Sequence, residues 1–360
     1  EPVLDKENSE DDNYVIIKVR YAGVCGTDRG IWNRVVFRDV ILNTIDEQIK
    51  LGKNSYRVVG HEFFGEIVKV GSKVKNVKLG DSVACESHVI CQECYQCLLG
   101  QKEVCINEKI LGISLDGGLA EFVKVPAHIL WKTDTAKIRP EIAAMQEPFG
   151  NAVHAGSKVD LKDKTVAIFG LGPIGMFLTL VVKGLGAKTI IGVEPNPVAI
   201  EMAKKLGIDH VIPLGKSDNA KPYAHDMTVT EEIKKLTGSV GVDVSFEMSG
   251  FNSSVNNCLY ATRRGGDIIL FGIKQGDFVF EDFNRIIANG FTFHAVIGRQ
   301  LWKTWEITQG LFEDKNNGIQ EKMFDVILKG GQGTILPIAE YAKEKFEDIM
   351  IKHPKLLIKF

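Results

Sequence analysis

Residues 164–187 read KTVAIFGLGPIGMFLTLVVKGLGA, and this run limits the possible folds more than any other. Its apolar centre, Thr165 to Val182, is nearly long enough to be weighed as a membrane span. Three glycines and a proline in its middle argue instead for a buried strand, a tight turn and a buried helix. Gly170, Gly172 and Gly175 stand in G-x-G-x-x-G register, with Pro173 inside the turn. Glycine permits the turn, a close approach of backbone to pyrophosphate, and tight packing of helix on strand. The pyrophosphate then meets the helix N-terminus.

A glycine triplet alone is weak evidence, because turns use glycine freely. Here the next strand, KTIIGVE, ends in Glu194, nineteen residues after Gly175, where an acid accepts hydrogen bonds from an adenosine ribose. A carboxylate there repels the extra phosphate of NADP, and no arginine follows in EPNPVAIEMAKKLG, so NAD is the expected cofactor. Lys204 and Lys205 leave room for a phosphate, although lysines on a helix more often face solvent.

From about residue 156 strands and helices alternate, which predicts an α/β half with a parallel sheet and crossover connections. GVDVSFEMSG, GGDIILFGI and GFTFHAVIGR read as later strands of that sheet, and ligands sit at strand C-terminal ends. Phe271, Gly272, Ile273, Val296 and Ile297 are therefore candidates to border nicotinamide, while each singly reads equally well as a core position. Lys216 to Val229 is expected to be a polar loop before the helix TEEIKKLTG.

A chain of 360 residues suits two domains, with a ligand cleft between them as the default expectation. Apolar content of 44%, charged content of 25% and a net charge of -2 give no pull toward nucleic acid or an anionic membrane. No basic-then-apolar leader opens EPVLDKENSEDDNYV, so the expected compartment is the cytoplasm.

Cys91, Cys94, Cys97 and Cys105 follow C-x2-C-x2-C-x7-C. Four thiolates fill a tetrahedral zinc site and leave no position for substrate, so such a site is structural. A disulfide pair is the bland alternative; the odd total of seven cysteines and the missing leader favour a reducing compartment. An iron–sulfur cluster is the other metal reading.

Chemistry is expected elsewhere. VCGTD places Cys25 after a strand-like run, and GHEFFGEIVKVG carries His61 and Glu62 between β-rich runs. Thiolate, imidazole and carboxylate form the mixed set of a zinc site that keeps one position open. A lone Cys or His is more often a core residue; three together beside a separate four-thiol cluster point to a ligand set. Glu147, in MQEPFGNAVH, lies at an expected junction within reach of the same cleft, and alone would be an ordinary helix-start acid. His88 precedes the cysteine cluster and by itself reads equally as a surface or a site residue.

Zinc-ligand Cys, G-H-E, four-Cys lobe, E-P-F-G-N-A and G-x-G-x-x-G occur in an order that resembles the zinc-containing medium-chain alcohol dehydrogenase superfamily across nearly the whole chain. EPFGNAVH, GVDVSFEMSG and IGRQLWKTW look most like its L-threonine 3-dehydrogenase branch, and CGTDR is similar to its glucose dehydrogenases. The resemblance implies a GroES-like β-rich catalytic domain over residues 1–155, completed by 300–360, and a Rossmann domain over 156–299. It also implies a homotetramer or homodimer and two zinc ions per chain. It makes Cys25, His61 and Glu62 catalytic zinc ligands, with Glu147 as an intermittent ligand or proton-relay tuning group. Thr27 matches a hydroxyl that passes the substrate proton onward, His88 a histidine near the substrate pocket, and Ile174 and Glu194 cofactor contacts.

The implied reaction oxidises a secondary alcohol, threonine to 2-amino-3-ketobutyrate or a polyol, butanediol or sugar, by hydride transfer to NAD. A nucleotide-binding protein without turnover is the competing class. Three positions depart from the family pattern. Gly30 stands where the relay usually ends in histidine, Ala199 where an arginine commonly stacks on adenine, and the segment from Asp28 to Gly60 is longer than in the threonine enzymes. Arg29 and Arg34, in that segment, join Glu147 and His88 as candidate partners for the charged ends of threonine.

Overall fold

The computed structural model describes residues 2–5, 8–215, 221–273 and 276–360. The chain divides into two compact units, Glu1–Pro148 with Gln300–Phe360, and Phe149–Arg299. The division falls earlier than the expected break after residue 155, inside the helix Gln146–Gly156. Pro148 does not stop that helix, because in a first turn its missing N–H would have no partner anyway.

The first unit is β-rich. Its strands are β1 (Tyr14–Val24), β2 (Glu62–Val70), β3 (Ser82–Cys85), β4 (His88–Val89), β5 (Lys109–Ile110), β6 (Phe122–Pro126) and β7 (Leu130–Lys132), with β14 (Ile335–Pro337) and β15 (Leu356–Lys359) from the C-terminal segment. Among the described residues one sheet runs β14-β15-β1-β2-β3-β7, with β6 also on β1. Strand β1 is long enough to pair with β6 at its start and β15 at its end. Val15, Ile17 and Val19 of β1 pack with Phe63, Ile67, Val83, Val123 and Val125 in the core. The short pair β4–β5 lies on either side of the four cysteines in the chain.

The second unit is a parallel sheet. Strands β8 (Thr165–Phe169), β9 (Thr189–Glu194), β10 (His210–Pro213), β11 (Val242–Glu247), β12 (Thr262–Leu270) and β13 (Thr292–Ala295) lie in the order β10-β9-β8-β11-β12-β13. Strand order reverses between β8 and β11, the switch point at which such sheets open a crevice for ligand. The apolar run at 165–182 becomes β8, a turn and the helix Pro173–Gly184. Among the described residues no helix is long and apolar enough to cross a membrane. Residues 216–220 of the expected polar loop lie outside the described residues; the helix after it spans Met227–Leu236, capped by the Asp226 carboxylate on the N–H groups of Thr228 and Val229.

The long segment before His61 contains the helix Arg38–Lys50. Buried Arg57 ties it down, donating to Thr44 Oγ1 at 3.2 Å and to Asp116 Oδ1 at 2.9 Å.

Candidate active site and metal centres

β1 and β2 pair antiparallel with Gly23 opposite Glu62, so the end of one strand and the start of the other bring their next residues together. Cys25 follows β1 and precedes the helix Gly26–Trp32; His61 precedes β2, and Glu62 begins it. One ligand atom from each of Cys25, His61 and Glu62 lies within 4.8 Å of the others. His61 and Glu62 are buried and Cys25 is half-buried, as a site open on one side requires.

Asp28, which the sequence reading passed over, organises this centre. Its carboxylate accepts from the Cys25 N–H at 2.9 Å and from the Gly60 N–H at 3.2 Å, and lies 4.0 Å from His61 Nδ1. An acid three residues after a helix-capping residue is a known local pattern, so the signal was present in VCGTD. Lys355, from the C-terminal segment, bonds the Glu62 carboxylate and is also buried. No local pattern announces that pair.

The electrostatics favour a cation. Burial opposes charge on His61, yet the Cys25 thiolate beside it, then Asp28 and Glu147, hold its proton affinity well above the usual imidazole value. His61 Nδ1 has no hydrogen-bond partner among the described residues. Buried anions around an imidazole with an unsatisfied nitrogen fit a divalent ion, and thiolate, imidazole and carboxylate are donors zinc accepts.

Glu147 is buried in the first turn of its helix and does not join the three converging ligand atoms. Its Oε1 accepts from Ser87 Oγ at 2.7 Å, a partner the sequence reading also missed. Thr27 is half-buried, two residues after Cys25 in the first turn of the helix. His88 is on β4, its Nδ1 2.6 Å from Glu108 Oε2. Arg29 donates to the carbonyls of His353 and Pro354, so its guanidinium is largely committed to backbone.

One ligand atom from each of Cys91, Cys94, Cys97 and Cys105 likewise lies within 4.8 Å of the others. The Cys94 N–H donates to Cys91 Sγ and the Cys91 N–H to Cys105 Sγ. Backbone N–H groups, that of Glu93 first, bring the Cys91 thiol down to about 6, whereas burial pushes Cys97 up to about 12. Three of the sulfurs, with Ile90, are the buried residues of the lobe's small core. Four convergent sulfurs fit a closed tetrahedral metal site.

In the second unit the three glycines differ. Gly170 has φ +99°, and a Cβ there would come within 2.9 Å of Ser249 Cβ. At Gly172, which precedes Pro173 and half-buried Ile174, a Cβ would meet open space; at Gly175 it would run into the Gly170 carbonyl. Glu194 ends β9 with its carboxylate accepting from the N–H groups of Leu171 at 2.7 Å and Asn196 at 2.9 Å. The open backbone at Gly172 and the acid beside the turn fit a dinucleotide whose pyrophosphate lies over the helix N-terminus.

Past β12, the N–H groups of Phe271 and Gly272 both donate to the Glu247 carbonyl. Ile273 is 86% exposed and Ile297 47%, so neither is a core position; Val296 is 8% exposed. The equally weighted reading as core residues therefore fails for two of the apolar four. Ala199 is buried in a helix whose N-terminus the Asn196 side chain caps.

The model of the alcohol dehydrogenase GroES-like domain matches residues 11–135, and that of the zinc-binding dehydrogenases residues 173–313. An L-threonine 3-dehydrogenase of Caldanaerobacter subterraneus subsp. tengcongensis is 34% identical over 340 residues, 94% of this chain and 88% of its own length. Among solved structures, the 2R,3R-butanediol dehydrogenase of Bacillus subtilis has a TM-score of 0.79 at 24% identity, covering 100% of this chain and 95% of the other. A short chain alcohol dehydrogenase of Escherichia coli CFT073, solved with NADH, has a TM-score of 0.76 at 25% identity, covering 97% and 92%.

Proposed function

The chain belongs to the zinc-binding alcohol dehydrogenases, oxidoreductases acting on CH–OH, and from that premise we propose that it oxidises the secondary alcohol of L-threonine with NAD. Cys25, His61 and Glu62 would hold the catalytic zinc, and Cys91, Cys94, Cys97 and Cys105 a structural one. Zinc, when bound, makes a coordinated hydroxyl acidic near neutral pH, and NAD accepts the hydride. The convergence of Cys25, His61 and Glu62 within 4.8 Å carries this reading.

The chain's own part is positioning. Asp28 orients the Cys25 backbone and faces His61, and Lys355 fixes the Glu62 carboxylate. Thr27 Oγ1 takes the substrate proton. Gly30 carries no side chain to continue a relay, so the proton leaves Thr27 to solvent or to another group. Gly170, Gly172, Pro173, Ile174 and Gly175 cradle the pyrophosphate, Glu194 selects NAD through the ribose, and Phe271, Gly272, Ile273, Val296 and Ile297 border the nicotinamide. We place the enzyme in the cytoplasm as a homotetramer or homodimer, with a small alcohol and no nucleic acid or membrane as its partner.

Cys25→Ser is expected to abolish NADH formation while circular dichroism stays unchanged; an unaltered rate would remove the zinc mechanism. A panel of threonine, sorbitol, butanediol and glucose at equal concentrations assigns the substrate, and threonine is expected to have the largest kcat/KM. Preference for butanediol would move the chain to the reading favoured by its likeness to that enzyme's structure.

A further inference from the structure

From the sequence Arg29 is a candidate partner for a charged end of threonine, but its guanidinium is spent on backbone. Nη2 donates to the carbonyls of His353 at 2.8 Å and Pro354 at 3.2 Å, one N–H for each. Nε is buried and has no partner among the described residues, so these two bonds are what hold the side chain. Arg29 lies one turn after Cys25, its own N–H donating to the Cys25 carbonyl at 3.1 Å. The contact thus ties the C-terminal segment to the helix Gly26–Trp32, which Cys25 caps.

The two carbonyls stand immediately before Lys355. His353 is extended, φ -125° and ψ 142°, as residues before proline usually are, and its N–H donates to Ile349 at the end of the helix Lys343–Lys352. Pro354 has a fixed φ and no N–H to give. On the far side Leu356 pairs with Val24 of β1. From this backbone the Lys355 ammonium reaches the Glu62 carboxylate and, at 3.5 Å, the Val24 carbonyl. Lys355 is 2% exposed and Glu62 1%, so neither charge has water to fall back on. Cys25, Arg29, the carbonyls of 353 and 354, Lys355 and Glu62 close a circuit, because β1 and β2 pair with Gly23 opposite Glu62.

We infer that Arg29 is a positioning residue: by holding the two carbonyls before Lys355 it sets that ammonium against Glu62, and so governs how much of the Glu62 charge is left for a metal. The consequence for the metal rests on the zinc dehydrogenase reading. Without the clamp the backbone at 353 and 354 is freer to turn, and Lys355 loses its fixed place at the carboxylate. In the absence of a metal, Glu62 is then a buried anion parted from its cation. A bound metal offsets that loss, and the carboxylate gives more of its charge to it.

The test is a double-mutant cycle of Arg29→Met and Lys355→Met, melted metal-stripped and zinc-loaded. Arg29→Met should lower the melting temperature of stripped protein clearly and that of zinc-loaded protein much less. In stripped protein the double variant should melt within about a degree of Lys355→Met alone, since residues that act on one contact are not additive. Arg29→Lys, which keeps a cationic donor, should regain part of the loss. Should Arg29→Met not fold, Arg29→Lys against Lys355→Met completes the cycle. Co2+ at the centre should show visible bands shifted from wild type in Arg29→Met, and a chelator should remove it several-fold more slowly. Losses that add in the double variant, or that are equal with and without zinc, would overturn the clamp and leave Arg29 as packing alone. A wild type that takes up no Co2+ through Cys25 would sink the dehydrogenase reading instead, while a non-additive cycle in stripped protein would still place Arg29 behind Lys355.

Discussion

Lys355 and a bound metal compete for the same anion. The lysine and Glu62 side chains are 3% and 1% exposed, and Gly23 makes room for them, since a Cβ there would run into the Glu62 carboxylate. Removing one partner of a buried ion pair costs about 3–5 kcal/mol, because the other charge is left uncompensated. Lys355→Met is therefore expected to lower the melting temperature of metal-stripped protein strongly and that of zinc-loaded protein much less, the metal supplying the missing positive charge. Thermal melts with and without zinc check this; equal losses in both would mean that Lys355 supports packing alone. The sequence could not show this residue's role. Lys355 and Glu62 are 293 positions apart, and only the pairing of β1 with both β2 and β15 brings them together. Asp28 is three residues from Cys25, so its partnership was legible as a capping pattern.

At the level of elements, the strand, turn and helix around residue 170 were legible because glycine and proline punctuate an otherwise apolar run. What each glycine does was not legible, since it depends on neighbours across the fold. Gly172 faces open space with φ -63°, which any residue adopts, whereas Gly175 presses against the Gly170 carbonyl. Gly172→Ala is thus expected to leave the melting temperature within about a degree of wild type and to weaken NAD roughly tenfold or more, its methyl occupying the path of the pyrophosphate. Gly175→Ala should instead destabilise the fold by about 1–3 kcal/mol through overpacking. Denaturation and NAD titration of both variants separate the effects; a strongly destabilised Gly172→Ala would contradict the assignment. The helix Arg38–Lys50 shows the opposite limit. None of its residues is buried, and its anchor, Arg57 between Thr44 and Asp116, lies outside the helix, so its place in the fold rests on contacts no local pattern shows.

On the scale of the whole molecule, the two units draw stability from different sources. The parallel sheet of Phe149–Arg299 has its own apolar core, with Phe169, Ile191, Val193, Ile233, Leu259 and Ile268, and contains neither candidate metal centre. The cysteine lobe has little core beyond its sulfurs, so on the proposed reading its order would depend on the ion they would hold. The mixed centre lies between these extremes: Lys355 already offsets one of its acids, and it offers three convergent ligands where the lobe offers four. A chelator should therefore act in two stages. The first zinc should leave from Cys25, His61 and Glu62, ending activity with a small change in melting temperature. The second should leave from the lobe and lower the melting temperature markedly. NAD affinity, measured by calorimetry, should survive the first stage, because Gly172 and Glu194 are held within a sheet that needs no metal. Loss of NAD binding in step with the first zinc would show that the nucleotide half depends on the catalytic centre for its fold, and that the two units are not independent sources of stability.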